Sequence, residues 1–354
     1  MNKKTILITG NLGYIGVELT KYLKKKNIDN YLIGYDTGYF LKDSLNKKKL
    51  SNKNIDFQIY SDLREKKFES LENFNIDTII HLSAISNDPM GNSFIKPTRQ
   101  INTLYTKKLI DWSKKKGVKK FVFASSCSVY GFSNKICNEK SKTNPLTEYA
   151  KSKLEIEKYL KKKTNNNFKA ISLRFSTACG ASEMLRLDLV LNDFVASALS
   201  SKKIKLLSNG DALRPLIDVY DMCQILIWAA KFKFRNYECI NAGHDNMNFK
   251  IVELANFVKK LLPFANISIN FENKDTRSYK VGFLKLKKLY KGYKKMKNIQ
   301  YSIKNLIKIL KKNKFRDKQF RNNNLMRLVS LKKQIKKGKL NNNLKILNDK
   351  RYYS

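Results

Sequence analysis

The sequence has few of the residues that usually bind metals or form disulfides. Its 354 residues include 5 cysteines and 2 histidines. The cysteines form no CxxC pair, and His81 and His244 do not lie at a usual metal-ligand spacing from any of them. We therefore expect no metal site, and we expect free thiols, which are typical of a reducing cytoplasm.

Long apolar runs are also absent. The sequence has no apolar run long enough to predict a transmembrane helix. The apolar run near the N-terminus is too short for a signal peptide. Because hydrophobic residues still make up 42% of the chain, we expect a folded cytoplasmic protein with two domains, or with one large α/β domain and an appended lobe.

Acidic residues are scarce: Asp and Glu number 29 against 72 Lys and Arg, a formal net charge of +43. Such a charge suits nucleic acid or an anionic membrane surface. The alternative is a general bias toward lysine, because the lysine runs lie where helices should end and where the helix dipole favours them. We favour the second interpretation and do not expect nucleic acid as a partner. In either case the positive electrostatic field of the chain would attract an anionic substrate.

Strand-like and helix-like segments alternate through the first half of the chain. The predicted strands cover 5–9, 31–36, 55–60, 77–84, 119–126 and 168–175, and the predicted helices cover 14–26, 97–116 and 146–163. This alternation predicts a parallel sheet covered by helices on both faces, the doubly wound α/β fold. Ligands of such folds bind at the carboxyl ends of the strands.

The alternation breaks after about residue 176. We expect residues 1–175 to form the main domain and residues 176–313 to form a smaller C-terminal lobe that binds substrate, with 217–243 returning to the main domain. Residues 314–354 are rich in Lys, Asn and Arg, which predicts a basic tail with at most one loose helix.

Residues 9–16 read TGNLGYIG, with three evenly spaced glycines between a predicted strand and a predicted helix. Gly10 would allow a tight turn. Gly13 would let the backbone approach a pyrophosphate, and Gly16 would let the helix pack closely on the strand. The helix N-terminus then offers N–H groups and the positive end of its dipole to phosphate.

Asp36 ends the second predicted strand. A carboxylate at this position accepts both ribose hydroxyls of a dinucleotide and repels a 2′-phosphate. No arginine adjoins it, so the pattern favours NAD over NADP. The alternative for Asp36 is an ordinary turn residue.

Tyr149 and Lys153 lie in YAKSK, four residues apart on one face of a predicted helix. An ammonium group beside a phenol lowers the pKa of the tyrosine, which could then transfer a proton near neutral pH. By itself the pair could be a surface feature. Upstream, however, SSCSVYG (125–131) places Ser126 at a strand end, where its hydroxyl could bind the same substrate oxygen.

The glycine triplet, the acid after the second strand, the strand-end serine and the YxxxK motif follow one another in this order along the chain. Together they resemble the extended short-chain dehydrogenases/reductases, in their nucleotide-sugar epimerase and dehydratase branch. The resemblance runs from about residue 4 to about residue 312. It implies a Rossmann sheet, bound NAD and a nucleotide-diphosphate sugar as substrate. Further matching segments are Asp62-Leu63, HLSA (81–84), Asn102, LRF (173–175) and RPLIDVYD (214–221).

The resemblance also implies roles for single residues, with Ser126, Tyr149 and Lys153 as the catalytic group. The implied cofactor contacts are Gly10, Gly13, Tyr14, Ile15, Gly16, Asp36, Asp62, Leu63, Leu82, Ser83, Ala84, Asn102, Tyr149 and Lys153. The candidate substrate contacts are Ser126, Thr177, Arg186, Arg214 and Arg277. Of these, Arg214 and Arg277 match or resemble the arginines that clamp the diphosphate, for which a planar guanidinium is suited.

Two departures from the family pattern bear on the chemistry. The Asp-Glu pair of the dehydratases is replaced by Cys127 and Ser128, which disfavours 4,6-dehydration. The segment TACGA (177–181) leaves Thr177 where the family has its diphosphate-binding asparagine.

Two other segments allow two interpretations each. Arg186, in RLDLVLND (186–193), either contacts substrate or begins a helix at the surface. The segment SNDPMGNSF (86–94) either covers the sugar or simply connects a strand to a helix, and we favour the connection. We expect His81 to be structural and His244 to lie in a loop.

The sequence thus predicts an NAD-dependent nucleotide-sugar epimerase similar to the 4-epimerases, in which ionised Tyr149 removes the proton of a sugar hydroxyl. One alternative is an NAD(P)H-dependent reductase of 4-keto nucleotide sugars that uses the same residues. An alternative of another class is a non-catalytic NAD-binding scaffold that contacts RNA or anionic surfaces. The resemblance further implies a homodimer joined through the helices at 97–116 and 146–163, and a place in polysaccharide biosynthesis.

Overall fold

The computed structural model describes residues 3–25, 30–45, 54–65, 67–272 and 277–347. The described strands are β1 (Lys4–Thr9), β2 (Asn30–Asp36), β3 (Phe57–Tyr60), β4 (Thr78–His81), β5 (Lys120–Ser126), β6 (Phe132–Cys137), β7 (Lys169–Phe175), β8 (Thr177–Cys179), β9 (Lys203–Leu206), β10 (Leu213–Asp218), β11 (Tyr237–Ala242), β12 (Asn248–Lys250), β13 (Asn266–Ile269) and β14 (Ser278–Val281). The described α-helices are α1 (Gly16–Lys25), α2 (Asp88–Ser93), α3 (Ile95–Thr98), α4 (Thr106–Lys115), α5 (Glu148–Lys163), α6 (Val190–Ser201), α7 (Val219–Lys231), α8 (Ile251–Leu261), α9 (Leu284–Leu289), α10 (Ile299–Lys312) and α11 (Arg327–Lys336).

Seven parallel strands form the central sheet, in the order β3-β2-β1-β4-β5-β7-β11. This order is that of the doubly wound fold, so the predicted α/β class is confirmed. Parallel pairing brings the carboxyl ends of the strands to one edge. Five of the predicted site residues end or follow strands at that edge: Gly10, Asp36, Asp62, Leu82 and Ser126.

Helices cover both faces of this sheet because successive strand residues point to opposite sides. Ile80 of β4 is buried in one apolar core with residues of α1 and α7. Its neighbour Ile79 is buried in a second core with residues of α4 and α5. The strands are apolar on both faces, as expected for a buried parallel sheet.

The lobe follows β7 along the chain. It contains a three-stranded sheet, β12-β10-β8, and the strand pair β13-β9, and a further pair, β14-β6, joins it to the loop after β5. A third apolar core unites α6, α8 and α10. Between these parts, α7 packs into the core on one face of the central sheet and β11 pairs with β7.

The C-terminal segment is well packed, and we call residues 320–347 the C-terminal strap. Leu331, Leu340 and Leu344 are each at most 1% exposed and belong to one core of the central sheet. The prediction of a loose basic tail is therefore wrong for this part of 314–354, while 348–354 lie outside the described residues. The buried side of α11 includes Arg327, Ser330 and Leu331 at helical spacing, while most of its lysines remain exposed.

None of the helices in the described ranges is long and apolar enough to cross a membrane.

Candidate active site

A cavity of about 720 Å³ opens at the carboxyl edge of the central sheet. Its walls come from the sheet, the lobe and the C-terminal strap, which contributes Met326, Arg327 and Leu328 among others. The predicted site residues that line it are Gly10, Gly13, Tyr14, Ile15, Gly16, Asp36, Asp62, Leu63, Leu82, Ser83, Ala84, Ser126, Tyr149, Lys153, Thr177, Arg186, Arg214 and Arg277. The fold thus brings together segments that lie far apart in the sequence.

The glycine turn leaves room for little besides hydrogen at two positions. Gly10 has a φ of +75°, and a Cβ there would lie 2.7 Å from the amide nitrogen of Ser83. A Cβ on Gly16 would lie 2.3 Å from the carbonyl oxygen of Gly10. Gly16 begins α1, so the helix N-terminus points into a bare turn of backbone. Such a cradle fits the diphosphate of a dinucleotide.

Asp36 faces the same turn. Its Oδ2 accepts the N–H of Leu12 at 3.0 Å, and its Oδ1 accepts the N–H of Gly38 at 2.8 Å. Burial raises the pKa of this carboxyl, while these backbone hydrogen bonds lower it. The carboxylate is therefore fixed at the edge of the cavity, where the sequence predicts a contact with ribose.

Asp62 lines the cavity but is engaged by protein groups. Its two carboxylate oxygens accept hydrogen bonds from the guanidinium of Arg64, the closest at 2.6 Å, and Oδ2 lies 3.1 Å from the hydroxyl oxygen of Tyr39. Arg64 also donates to the carbonyl oxygens of Asn343 and Leu344 in the strap. Asp62 therefore holds Arg64, and Arg64 anchors the strap. The implied contact between Asp62 and adenine would have to use the same carboxylate.

Asn102 is buried in the π-helix (Arg99–Tyr105) that joins α3 to α4. Its Oδ1 accepts the N–H of Ile85, and its amide nitrogen donates to the carbonyl of Ile85 and to the hydroxyl of Ser152. In the structure Asn102 thus ties the loop after β4 to α5. It is not brought to the cavity with the other predicted cofactor contacts.

Tyr149 and Lys153 lie in the first two turns of α5, which begins after the N-cap Thr147, whose hydroxyl accepts the N–H of Ala150. The Nζ of Lys153 lies 5.6 Å from the centre of the Tyr149 ring and donates to the carbonyl of Ala124 at 2.7 Å. The Oγ of Ser126 also accepts the N–H of Ser128.

The electrostatics of this group differ from the expectation. Burial raises the pKa of Tyr149 to about 12; the charge of Asp88 acts in the same direction, and a hydrogen bond with Ser126 acts against it. Burial also lowers the pKa of Lys153 to about 7. The expected lowering of the tyrosine pKa by Lys153 is not found in this arrangement, in which burial sets the direction of the shift.

Arg186 is buried at the cavity and is not a surface residue, so that alternative is wrong. Its guanidinium forms two hydrogen bonds of 2.9 Å with Asp188 and one of 3.0 Å with the hydroxyl of Ser86. The amide of Asn87 also donates to Asp188 at 2.8 Å. The loop after β4 is therefore bonded directly to the lobe.

Arg214 and Arg277 meet where β10 approaches the start of β14. The Nη1 of Arg214 donates to the carbonyl oxygens of Leu213 and Arg277. Arg277 donates to Asp88 at 2.7 Å, and the hydroxyl of Thr147 donates to the same carboxylate at 2.5 Å. Two cationic side chains and Asp88 thus face the cavity beside α5.

Sequence reasoning missed several charged residues of this site, among them Asp88, Asp188 and Arg327. Asp88 lies in the segment 86–94, for which the sequence favours a plain connection, and Asp188 lies two residues after Arg186. Arg327 lies in the expected tail, where arginine and lysine are common and nothing in the sequence separates it from its neighbours. The pattern ND in 87–88 before a helix is a usable signal for Asp88, since polar side chains at such strand–helix connections face the site.

Comparison with known proteins places this site in a family. The model of the NAD dependent epimerase/dehydratase family matches residues 6–243. The chain is 28% identical over 276 residues to the ADP-L-glycero-D-manno-heptose-6-epimerase of Brachyspira hyodysenteriae, covering 74% of this chain and 82% of that protein. It is 30% identical over 287 residues to the dTDP-D-glucose 4,6-dehydratase of Dictyostelium discoideum, covering 75% of this chain and 62% of that protein.

Among solved structures, MoeE5 in complex with UDP-glucuronic acid and NAD has the same fold. The TM-score is 0.75 at 21% sequence identity, and the alignment covers 87% of this chain and 99% of that chain. The glycine cradle and the carboxylate at the end of β2 fit the cofactor that the family requires. The family match and the shared fold agree, and the chain belongs to the NAD dependent epimerase/dehydratase family of enzymes.

Proposed function

We propose that the protein is an NAD-dependent nucleotide-sugar epimerase that acts in the manner of a 4-epimerase. The observation that carries the proposal is the position of Ser126, Tyr149 and Lys153 in one cavity with Arg214 and Arg277. The first three suit proton transfer at a sugar hydroxyl, and the two arginines suit a diphosphate. The cavity therefore has a place for each end of a nucleotide sugar.

Tyr149 is the proposed base. Its ionised oxygen would accept the proton of a sugar hydroxyl, and Ser126 would hold the oxygen from which the proton leaves. When bound, NAD supplies the hydride acceptor and a positive charge that favours the phenolate. Lys153, with its pKa lowered to about 7 by burial, adds to that stabilisation in its charged form.

Sugar dehydration finds less support at this site. Cys127 stands where the dehydratases have an acid, but it is fully buried and its thiol donates to the carbonyl of Arg174 at 3.0 Å. Burial also raises its pKa far above the ordinary value of a thiol. Neither Cys127 nor the hydroxyl of Ser128 is suited to remove water from a sugar.

The experiment that tests this function uses purified protein and a panel of nucleotide sugars. NMR would follow the stereochemistry of the sugar, and absorbance would follow the net redox state of NAD(H). We expect a new epimer without net change in NAD(H). Net consumption of NADH or NADPH with keto-sugars alone would make the protein a reductase instead. No turnover across the panel, with NAD still bound, would contradict both activities and favour the scaffold.

We also propose a cytoplasmic homodimer that makes precursors for polysaccharides, with α4, α5 and the π-helix at the subunit interface. Leu104 of the π-helix is 48% exposed in the single chain. A second copy that packed on these helices would bury this side chain. Light scattering of the wild type and of Leu104→Glu tests the interface, and a monomeric wild type would overturn it.

A further inference from the structure

Arg327, the first residue of α11, is a charged residue buried in the C-terminal strap at the cavity. It is 2% exposed. Its guanidinium lies 4.2 Å from the centre of the Phe40 ring, and Nη2 donates to the carbonyl of Met184 at 3.2 Å. Nη1 lies 3.7 Å from Oδ2 of Asp43 and has no hydrogen-bond partner among the described residues. A buried N–H donor without an acceptor is costly, which points to an acceptor on a ligand.

One neighbour of Arg327 is connected to the glycine turn through Asp36. Phe40 lies two residues after Gly38, whose N–H binds the Asp36 carboxylate. The same carboxylate accepts the N–H of Leu12 in the glycine turn. The segment that carries Phe40 is therefore connected to the turn through the Asp36 carboxylate.

The other neighbour of Arg327 is connected to the turn from the lobe. The N–H of Met184 donates to the hydroxyl oxygen of Ser182 at 3.2 Å, and that hydroxyl donates to the carbonyl of Tyr14 at 2.8 Å. Tyr14 itself bonds the carbonyl of Gly180 through its own hydroxyl. Arg327 is thus held between two segments, each of which is hydrogen-bonded to the turn.

Three other arginines that line the cavity, Arg186, Arg277 and Arg321, are hydrogen-bonded to carboxylates. Arg186 is bonded to Asp188, and Arg321 forms hydrogen bonds of 2.6 and 2.9 Å with Asp193. Arg327 differs because its carboxylate neighbour lies beyond hydrogen-bond distance. Its guanidinium therefore keeps one buried N–H group that is bonded to no acceptor among the described residues.

We propose that Arg327 binds a phosphate of the NAD diphosphate, so that the C-terminal strap supplies part of the cofactor site. A guanidinium suits this ligand because it forms charge-assisted hydrogen bonds with phosphate oxygens. The glycine turn, to which both neighbours of Arg327 are connected through intervening residues, offers the N-terminus of α1 to the same anion. The proposal rests on the NAD dependence of the family, not on the epimerase reaction.

Calorimetric titration of the NAD-free protein with NAD and with ADP tests the proposal without measuring activity. For Arg327→Gln we expect both dissociation constants to rise about tenfold to a hundredfold, the loss of one charge-assisted hydrogen bond. Arg327→Lys keeps the charge but loses the planar fork, and its binding should fall between wild type and Arg327→Gln. Arg327→Lys also tests the proposal if Arg327→Gln does not fold. Wild-type affinity for NAD in either folded variant overturns the proposal.

Two controls distinguish phosphate binding by Arg327 from a structural role and from a place in the substrate site. Asp43→Asn removes the carboxylate beside Arg327 but leaves the guanidinium, so NAD binding should be unchanged or tighter. An equal loss in Asp43→Asn and Arg327→Gln would make the effect structural and overturn the proposal. Titration of the NAD-loaded protein with UDP tests binding of the diphosphate at the substrate site. If Arg327→Gln weakened UDP binding and spared NAD, Arg327 would belong to the substrate site and the proposal would be wrong.

Discussion

At the scale of single residues, the phenolic oxygen of Tyr149 carries the proposed proton transfer. Tyr149→Phe removes only the hydroxyl and keeps the close approach to α2, where a Cβ on Gly91 would lie 3.1 Å from the Tyr149 Cβ. We expect kcat to fall by about 10²- to 10⁴-fold, the usual contribution of an acid–base group, and the dissociation constant of NAD to stay within about twofold of wild type because the ring and Lys153 remain. Steady-state kinetics measures kcat, and calorimetry measures the dissociation constant. A fully active variant would contradict the mechanism.

Asp88 offers a test of the pH dependence. Its negative charge raises the pKa of Tyr149, and the proposed base is the ionised form. Activity should therefore rise with pH, and in Asp88→Asn this rise should begin at lower pH because the tyrosine ionises more easily. The measurement is kcat/KM as a function of pH.

Asp88→Glu is the matched variant, since it keeps the charge beside Tyr149. It should show the pH profile of the wild type, although both changes disturb the bonds to Arg277 and Thr147. A rise at the same pH in Asp88→Asn and wild type would show that Asp88 does not tune the tyrosine.

Residues in motifs were easier to predict than residues held by distant partners. Gly10 and Gly16 were predictable because local backbone geometry forbids a side chain there. Asn102 also matches the family pattern, but its side chain forms hydrogen bonds with Ile85 and Ser152 instead of lining the cavity. Arg327 depends on neighbours that lie far away in the sequence, such as Phe40 and Met184, so local pattern could not find it.

At the scale of elements, a buried ion pair fixes α5 to the central sheet. Glu157 of α5 forms hydrogen bonds of 2.6 to 3.1 Å with Arg174 of β7, and it accepts the hydroxyl of Ser125 at 2.5 Å. The side chains of Glu157 and Arg174 are 4% and 7% exposed. Glu157→Leu leaves a buried guanidinium unpaired, so we expect it to lower the free energy of unfolding by about 3–5 kcal/mol in urea titrations.

The double variant Glu157→Leu with Arg174→Met separates the loss of the pair from the loss of packing. Because a buried pair contributes little beyond an apolar pair of similar volume, the double variant should recover most of the stability. A double variant as unstable as Glu157→Leu would contradict this account.

The elements show where periodicity suffices and where it fails. The central strands and α5 were predictable because apolar runs and their flanking turns mark them. The helix expected at 97–116 is instead α3, a π-helix and α4. Just after the π-helix, the hydroxyl of Thr106, the first residue of α4, donates to the carbonyl of Ile101, five residues back. Apolar spacing does not encode such a local bond.

At the scale of the whole molecule, the net charge of +43 opposes folding by self-repulsion. Basic residues occupy the last turns of α1, α4 and α5, where the dipole offsets part of the cost. We expect the urea midpoint of unfolding to rise when NaCl is increased from roughly 0.05 M to 0.5 M, because salt screens exposed charges. A midpoint that falls with salt would mean that attractive ion pairs dominate.

The C-terminal strap also constrains the order in which the protein matures. The hydroxyl of Tyr39 donates to the carbonyl of Leu344, a contact between residues 305 positions apart. Domains begin to fold during synthesis, so the sheet can form while the strap is still untranslated. The wall of the cavity that holds Arg327 is added only after translation has passed the strap. On the ribosome, the growing chain can therefore acquire its sheet before it acquires the complete pocket.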